Sequence, residues 1–153
     1  MYRTMRTEAD LHDYVAAFNR RDYERQHTYY HPDVTFTLPN GREFVGSHGI
    51  AAHYERLHAC VRELLQIDFC VIGDEHIAIE IYTEFRAFAD YPDFTFGALR
   101  AGDVYRCTNF GHYDLVDGRL HRIRVGTYRV WRPDERLEPK RFPGIADPEH
   151  PDR

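Results

Sequence analysis

Seven polar side chains stand where a buried β-hairpin would carry apolar ones. In NFGHYDLVDGRLHRIRVGTYRVW, residues 109–131, Asn109, His112, Asp114, His121, Arg122, Arg124 and Arg129 are set among aromatics and valines. The hairpin is either a solvated edge or the wall of a polar cavity. Asn109 can polarise a carbonyl and needs a partner if buried. His112 and Asp114 share the opposite strand face, so they form an orienting pair either outside such a cavity or inside it, and a β-bulge within 104–113 would swap the faces.

A second strand poses the same choice. In HIAIEIYTEFRAFAD, residues 76–90, Ile77, Ile79, Ile81, Thr83 and Phe85 alternate with Ala78, Glu80, Tyr82, Glu84 and Arg86. Either the isoleucines form core and the glutamates face water, or the isoleucines meet a second subunit and the glutamates enter a cavity. Glu80 and Glu84 would lie roughly 13 Å apart along the strand, too far for a shared-proton dyad unless their side chains converge. Buried among aromatics, either carboxyl would rise in pKa and serve as a general acid or base near neutrality. His53 is the histidine best placed to look inward from a helix. Arg124 and Arg129 would suit an anionic or polyphenolic substrate, whereas Cys107 has no helix terminus or histidine to activate it as a nucleophile.

Metal and nucleotide chemistry find little support. His27 and His31 have i,i+4 spacing, but His31 abuts Pro32 and no third ligand is evident. His48, His53 and His58, five apart, walk around a helix. No glycine-rich loop follows a strand. No metal and no cofactor are expected.

The elements that must position these groups can be read in order. Thr7 caps a first helix whose stripe is Leu11, Tyr14, Val15 and Phe18. YERQHTYYH reads as a second helix ending at His31, because Pro32 disfavours a helical residue before it. DVTFTLPNG (33–41) is a strand ending in a turn. Ser47 is expected to cap a third helix through FVGSHGIAAHYERLHACVREL, with Ile50, Tyr54, Leu57 and Val61 as its buried stripe and His53 one position off. From residue 64 the period becomes two: strands at 64–72 and 76–90, a long connection at 91–102, then two strands joined at Asp117-Gly118. The connection is expected to shape the pocket entrance. Five of eight prolines fall in 132–153, which reads as an extended or disordered arm beyond a single domain of 1–131.

Bulk composition fits that plan. The chain has 153 residues, 42% hydrophobic and 29% charged, with eleven Tyr and ten Phe to line a pocket, an interface or a β-rich core. A formal charge of −5 with both signs interspersed argues against a nucleic-acid surface. Cys60, Cys70 and Cys107 make no CxxC pair, and no stretch approaches a membrane span. A reduced, cytoplasmic protein is expected.

Taken together, YVAAFNRRDYERQHTYYHPDVTF and HYDLVDGRLHRIRV resemble the NTF2-like or SnoaL-like superfamily, over roughly residues 7–131. The resemblance implies an α+β cone: a strongly curved antiparallel sheet covered by three N-terminal helices. Members include ketosteroid isomerases, polyketide cyclases, scytalone dehydratase and limonene epoxide hydrolase, and many pair through the outer sheet face, which favours the Ile79/Ile81 interface. The isomerase's helix-1 oxyanion donor falls on Tyr14, but its proton-shuttling aspartate falls on Leu38 and its second donor near Gly111. Two of three groups are missing, which argues against that mechanism. Neither the hydrolase's Asp-Arg-Asp relay nor the dehydratase's His/Tyr spacing is matched.

The reading is therefore a cofactor-free acid–base cyclase, isomerase or dehydratase for a small cyclic or polyketide-like carbonyl compound. Tyr14, His53, Glu80, Glu84 and Asn109 are its candidate catalytic groups. Phe18, Phe36, Leu38, Tyr54, Tyr82, Tyr105, Cys107, Tyr113 and Val125 are its candidate substrate contacts. A homodimer through the outer sheet face is expected, with no nucleic acid and no membrane. The alternatives are a non-catalytic binding or assembly protein using the same pocket, and a scaffolding subunit of a larger oxygenase.

Overall fold

The computed structural model describes residues 1–135, 138 and 140–147. Its elements are α1 (Glu8–Asn19), α2 (Tyr23–His27), β1 (Tyr30–Thr37), β2 (Glu43–Val45), α3 (Gly46–His58), β3 (Val61–Ile72), β4 (His76–Ala87), β5 (Val104–Val116) and β6 (Arg119–Trp131). The strands form one curved, unclosed sheet in the order β2-β1-β6-β5-β4-β3. All neighbours run antiparallel except β1 and β6, which are parallel, a departure from the wholly antiparallel sheet expected.

Local chemistry explains the firm boundaries. Thr7 and Asp10 form a reciprocal capping box at α1: Asp10 N–H donates to Thr7 Oγ1 at 3.2 Å, and Thr7 N–H donates to Asp10 Oδ2 at 2.9 Å. Asp117 (φ 54°) and Gly118 (φ 73°) give the two positive φ values that the tight β5–β6 hairpin turn requires.

Three expected boundaries are corrected. The second helix stops at His27, where Thr28 caps it and donates through Oγ1 to the Arg25 carbonyl at 2.6 Å. Tyr30 already belongs to β1, and Pro32 interrupts that strand's register with β6 rather than ending a helix. Ser47 does not cap α3; its N-cap is Val45, with no side-chain bond. Nor does α3 run to residue 64: it ends at His58, and Val61 opens β3 as a strand residue.

One sheet face carries the core and meets the helices. Ile77, Ile79, Ile81, Thr83 and Phe85 of β4 point into it and are all buried. Leu11, Tyr14 and Val15 of α1 and Ile50 of α3 close over this face. The isoleucines are thus core residues, and the reading that placed them in a subunit interface, with the glutamates inside, is overturned. Gly111, opposite Ile79, has no room for a side chain: a Cβ there would lie 2.7 Å from Ile79 and 2.9 Å from the Tyr113 ring, which lies over it.

The other face is covered in part by the C-terminal segment. Of that segment, 136, 137, 139 and 148–153 lie outside the described residues. Residues 140–147 fold back on the chain. Phe142 is 5% exposed and joins Leu64 and Tyr82, with Trp131 and Ile145 beside them. Asn19, fully buried at the end of α1, donates to the carbonyls of Leu65 (2.9 Å) and Pro143 (2.8 Å), tying helix, sheet and tail together. Phe142→Ala is expected to destabilise the protein by about 2–3 kcal/mol, the worth of burying one phenylalanine side chain, because the tail can lift away rather than leave a cavity. Urea denaturation of the variant against the parent checks this.

Candidate active site

Between the helices and the inner sheet face lies a cavity of ≈ 90 Å³. Its wall is mostly aromatic: Tyr14 and Phe18 from α1, Phe36 from β1, Tyr54 from α3, Phe85 from β4 and Tyr113 from β5. Phe94, Thr95 and Phe96 of the 91–102 connection complete it, together with Leu38 and Pro39. Phe96, 36% exposed, is the lining residue most open to solvent. The connection therefore supplies the part of the wall that reaches solvent, and a bridge between Tyr91 and Leu99 fixes its base.

The ionisable centre of the cavity is Glu63, on the inner face of β3 and 6% exposed. His58, the last residue of α3, faces it across the short α3–β3 turn, with Nε2 2.9 Å from Glu63 Oε2. Tyr23, at the start of α2, bonds the other ring nitrogen, Nδ1. A carboxylate accepts only, so Nε2 carries the proton and donates to Glu63, while the Tyr23 hydroxyl donates to Nδ1. Stacking holds the imidazole flat: its ring lies 5.9 Å from Tyr23 (11° between planes) and 5.2 Å from Tyr54 (26°). Burial depresses the His58 pKa against the pull of Glu63, so the ring is neutral near pH 7. Arg21 donates to the Glu63 carbonyl at 3.1 Å and brings a cation to this end of the cavity.

Other polar groups line or back the same cavity. The Tyr14 and Tyr30 hydroxyls bond at 3.0 Å, and burial raises both pKa values, keeping them protonated donors. Asn109 Oδ1 accepts from Thr127 Oγ1 at 2.8 Å, which leaves its amide NH₂ as the group to offer a ligand. Gln26 Oε1 and Thr83 Oγ1, both on buried lining residues, have no hydrogen-bond partner. His53 lies against Phe44 (4.4 Å) and Tyr54 (4.9 Å), and burial pushes its pKa down to about 4.

This helix-covered, unclosed sheet with a polar-lined aromatic cavity has a recognised family. The model of the SnoaL-like domain matches residues 11–123. The chain belongs to the SnoaL-like domain family. Solved structures share the fold at low sequence identity. A putative polyketide cyclase from Silicibacter sp. TM1040 has 21% identity and a TM-score of 0.67, over 82% of this chain and 92% of that one. Another from Xanthomonas campestris pv. campestris has 22% identity and a TM-score of 0.64, over 78% and 87%. An LEH-like epoxide hydrolase of M. tuberculosis has 12% identity and a TM-score of 0.61, over 77% and 79%. No curated protein matches the sequence.

Within this SnoaL-like domain, nine of the residues singled out from sequence line the cavity: Tyr14, Phe18, Phe36, Leu38, His53, Tyr54, Asn109, Tyr113 and Val125. Five do not. Glu80, Tyr82 and Glu84 share the outer face of β4, because the inner positions of that strand belong to Ile79, Ile81 and Thr83. Glu84 is held there by Arg86 (2.5 Å) and Arg106 (3.4 Å). Tyr82 is sealed under Phe142. Cys107 faces inward but is fully buried among Leu57, Val61 and Phe85, and burial pushes its thiol up to about 12. Tyr105 packs against Phe85, Phe94 and Phe96 behind the wall. The sequence reading missed Glu63, His58, Tyr23, Gln26 and Thr83. Among the described residues, no helix is long and apolar enough to cross a membrane.

Proposed function

We propose that this SnoaL-like protein is a cofactor-independent acid–base enzyme acting on a small cyclic or polyketide-like carbonyl compound, as cyclase, isomerase or dehydratase. The observation that carries it is the buried Glu63 carboxylate, held by His58 and Tyr23 in the wall of an otherwise neutral, aromatic cavity. A carboxylate there removes an acidic C–H proton through the oxygen that His58 leaves free. Tyr14 and the Asn109 amide supply donors for the oxyanion that forms. Gln26 and Thr83 hold hydrogen-bonding capacity for the ligand's own polar groups. The aromatic walls exclude water, which strengthens each of these contacts.

The named functions of the fold's neighbours, polyketide cyclase and epoxide hydrolase, are compatible with small-molecule acid–base chemistry. A homodimer through the outer face is also proposed, supported by the exposed Phe69, Val71, Phe110 and Tyr128 on that face; sedimentation velocity reads it directly. The three cysteines, all unpaired, suit a reducing compartment such as the cytoplasm.

The test is solvent-deuterium exchange at the acidic C–H of a cyclic 1,3-diketone probe, followed by NMR. Exchange by the parent protein that is lost in Glu63→Gln, with probe binding retained, supports the enzyme. Equal exchange in both discards Glu63 as the base. Binding without any exchange turns the reading toward a carrier.

A further inference from the structure

On the outer sheet face, away from the cavity, three side chains converge. His76 opens β4 directly opposite Asp114 of β5, and His112 lies two residues back on the same face of β5. His76 Nδ1 is 3.1 Å from Asp114 Oδ1, His112 Nε2 is 3.3 Å from His76 Nδ1, and His112 Nε2 is 3.5 Å from Asp114 Oδ1. We infer that this triangle is a divalent transition-metal site of the zinc class, with two imidazoles and one carboxylate as ligands. Among the described residues it is the one group of three such side chains close enough to share an ion.

Proton counting leads to the cation. The carboxylate oxygen only accepts, and a neutral imidazole places at most one proton on the nitrogen that faces the triangle. If both rings turn N–H inward, His76 and His112 oppose each other as two donors. If one does, the edge between the other two atoms is left as two lone pairs facing each other. If neither does, every edge is of that kind. No neutral arrangement satisfies all three edges, whereas one cation at the centre receives all three lone pairs.

The dimensions agree. Ligand bonds of about 2.0–2.1 Å in a tetrahedron separate neighbouring donor atoms by about 3.3–3.4 Å. The three observed edges, 3.1, 3.3 and 3.5 Å, straddle that value. The strands pre-organise the set, since all three residues hold register positions in one continuous ladder. In a single protomer the histidine side chains are 62% and 57% exposed, so the fourth position is open there.

Arg124 is the built-in competitor. Its Nη2 donates to Asp114 Oδ1 at 2.7 Å and approaches His112 Nδ1 at 3.1 Å. When His112 ligates through Nε2 its proton moves to Nδ1, which then cannot accept from Arg124. The guanidinium must swing aside for the ion to enter, so removing it tightens binding. The sequence offered no metal-ligand spacing because His76 and His112 stand 36 residues apart and only strand pairing unites them.

The test uses the full chain without an affinity tag, stripped with a chelator and titrated with Zn²⁺ by competition and with Co²⁺ by visible absorption. One equivalent of Zn²⁺ and intense tetrahedral-type Co²⁺ bands are expected. His76→Ala, His112→Ala and Asp114→Asn should each weaken binding at least about tenfold. Arg124→Met should tighten it, and exposed His48→Ala should leave it unchanged. Glu63→Gln should also leave it unchanged, which separates this site from the cavity. Binding that survives the His76 and His112 substitutions, or only weak octahedral-type Co²⁺ spectra, overturns the inference.

Discussion

Glu63→Gln is expected to lower turnover by about 10²–10⁴-fold, the usual contribution of a positioned general base, with little change in KM. Glutamine keeps the shape of the side chain, and its amide oxygen still accepts from His58 Nε2, so the wall of the cavity survives while its basicity does not. A buried charge is also removed, so the variant should melt no lower than the parent. Tyr23→Phe is the companion variant. It leaves the imidazole stacked on Tyr54 but frees Nδ1, so the ring can hold its proton on the wrong nitrogen and turn a lone pair toward the carboxylate. The expected signature is a lower kcat and a displaced acid limb of the pH–rate profile, with probe affinity kept. Unchanged kcat in Glu63→Gln would remove the carboxylate from the mechanism.

Val61 continues the helical stripe of Ile50, Tyr54 and Leu57 by spacing, and that continuity hid the switch from a period of 3.6 to a period of two. With Val61 and Glu63 read as helix, Glu63 was one more charge on a helix face. Read as strand, it shares a face with Val61 and Leu65, alternating with Arg62 and Leu64, and must point inward. His58 then ceases to be one of three histidines walking around a helix and becomes the residue at its end, free to turn toward β3. Tyr23 is beyond any local pattern, because its contact with His58 spans 35 residues.

Strand β4 shows a different limit. Alternation tells two faces apart only when one of them is wet, and here Tyr82 on the outer face is as buried as Ile77 on the inner one. What covers Tyr82 is Phe142, sixty residues later, in a stretch whose prolines read as an extended or disordered arm. Where local chemistry alone decides, the sequence was legible. Thr7 caps α1 and Asp117-Gly118 turns the hairpin. On β5 alternation only separates Asn109 from His112 and Asp114; the core isoleucines paired with it put the first inside and the other two outside. The bulge between Thr108 and Asn109 inserts its extra residue, Tyr128, on β6, so the facing of β5 is undisturbed.

Acid should unfold the protein early. His53 is 6% exposed, stacked on Phe44, and its pKa of about 4 results first from burial, opposed by Glu63 and reinforced by Arg42, Arg56 and His58. The same imidazole in an unfolded chain titrates near 6.5. Between these values the unfolded chain binds a proton that the folded one refuses, so stability rises with pH there. The His53 contribution is complete above about pH 6.5, falls as the pH drops, and is exhausted below about pH 4, with a total on the order of 3 kcal/mol. His58 is shifted the same way and adds to the slope. The carboxylates with depressed pKa values, Asp10 and Asp13, lose their share only below their ordinary value of 3.8, and Glu135 below 4.5, so the carboxylates act at the lower edge of the histidine window and beneath it. Urea denaturation at a series of pH values across the histidine window reads the slope directly. His53→Gln, which cannot titrate, should flatten it while leaving the fall at lower pH in place. A parent protein equally stable from neutrality down to the carboxylate range would show that neither imidazole is held neutral by the fold.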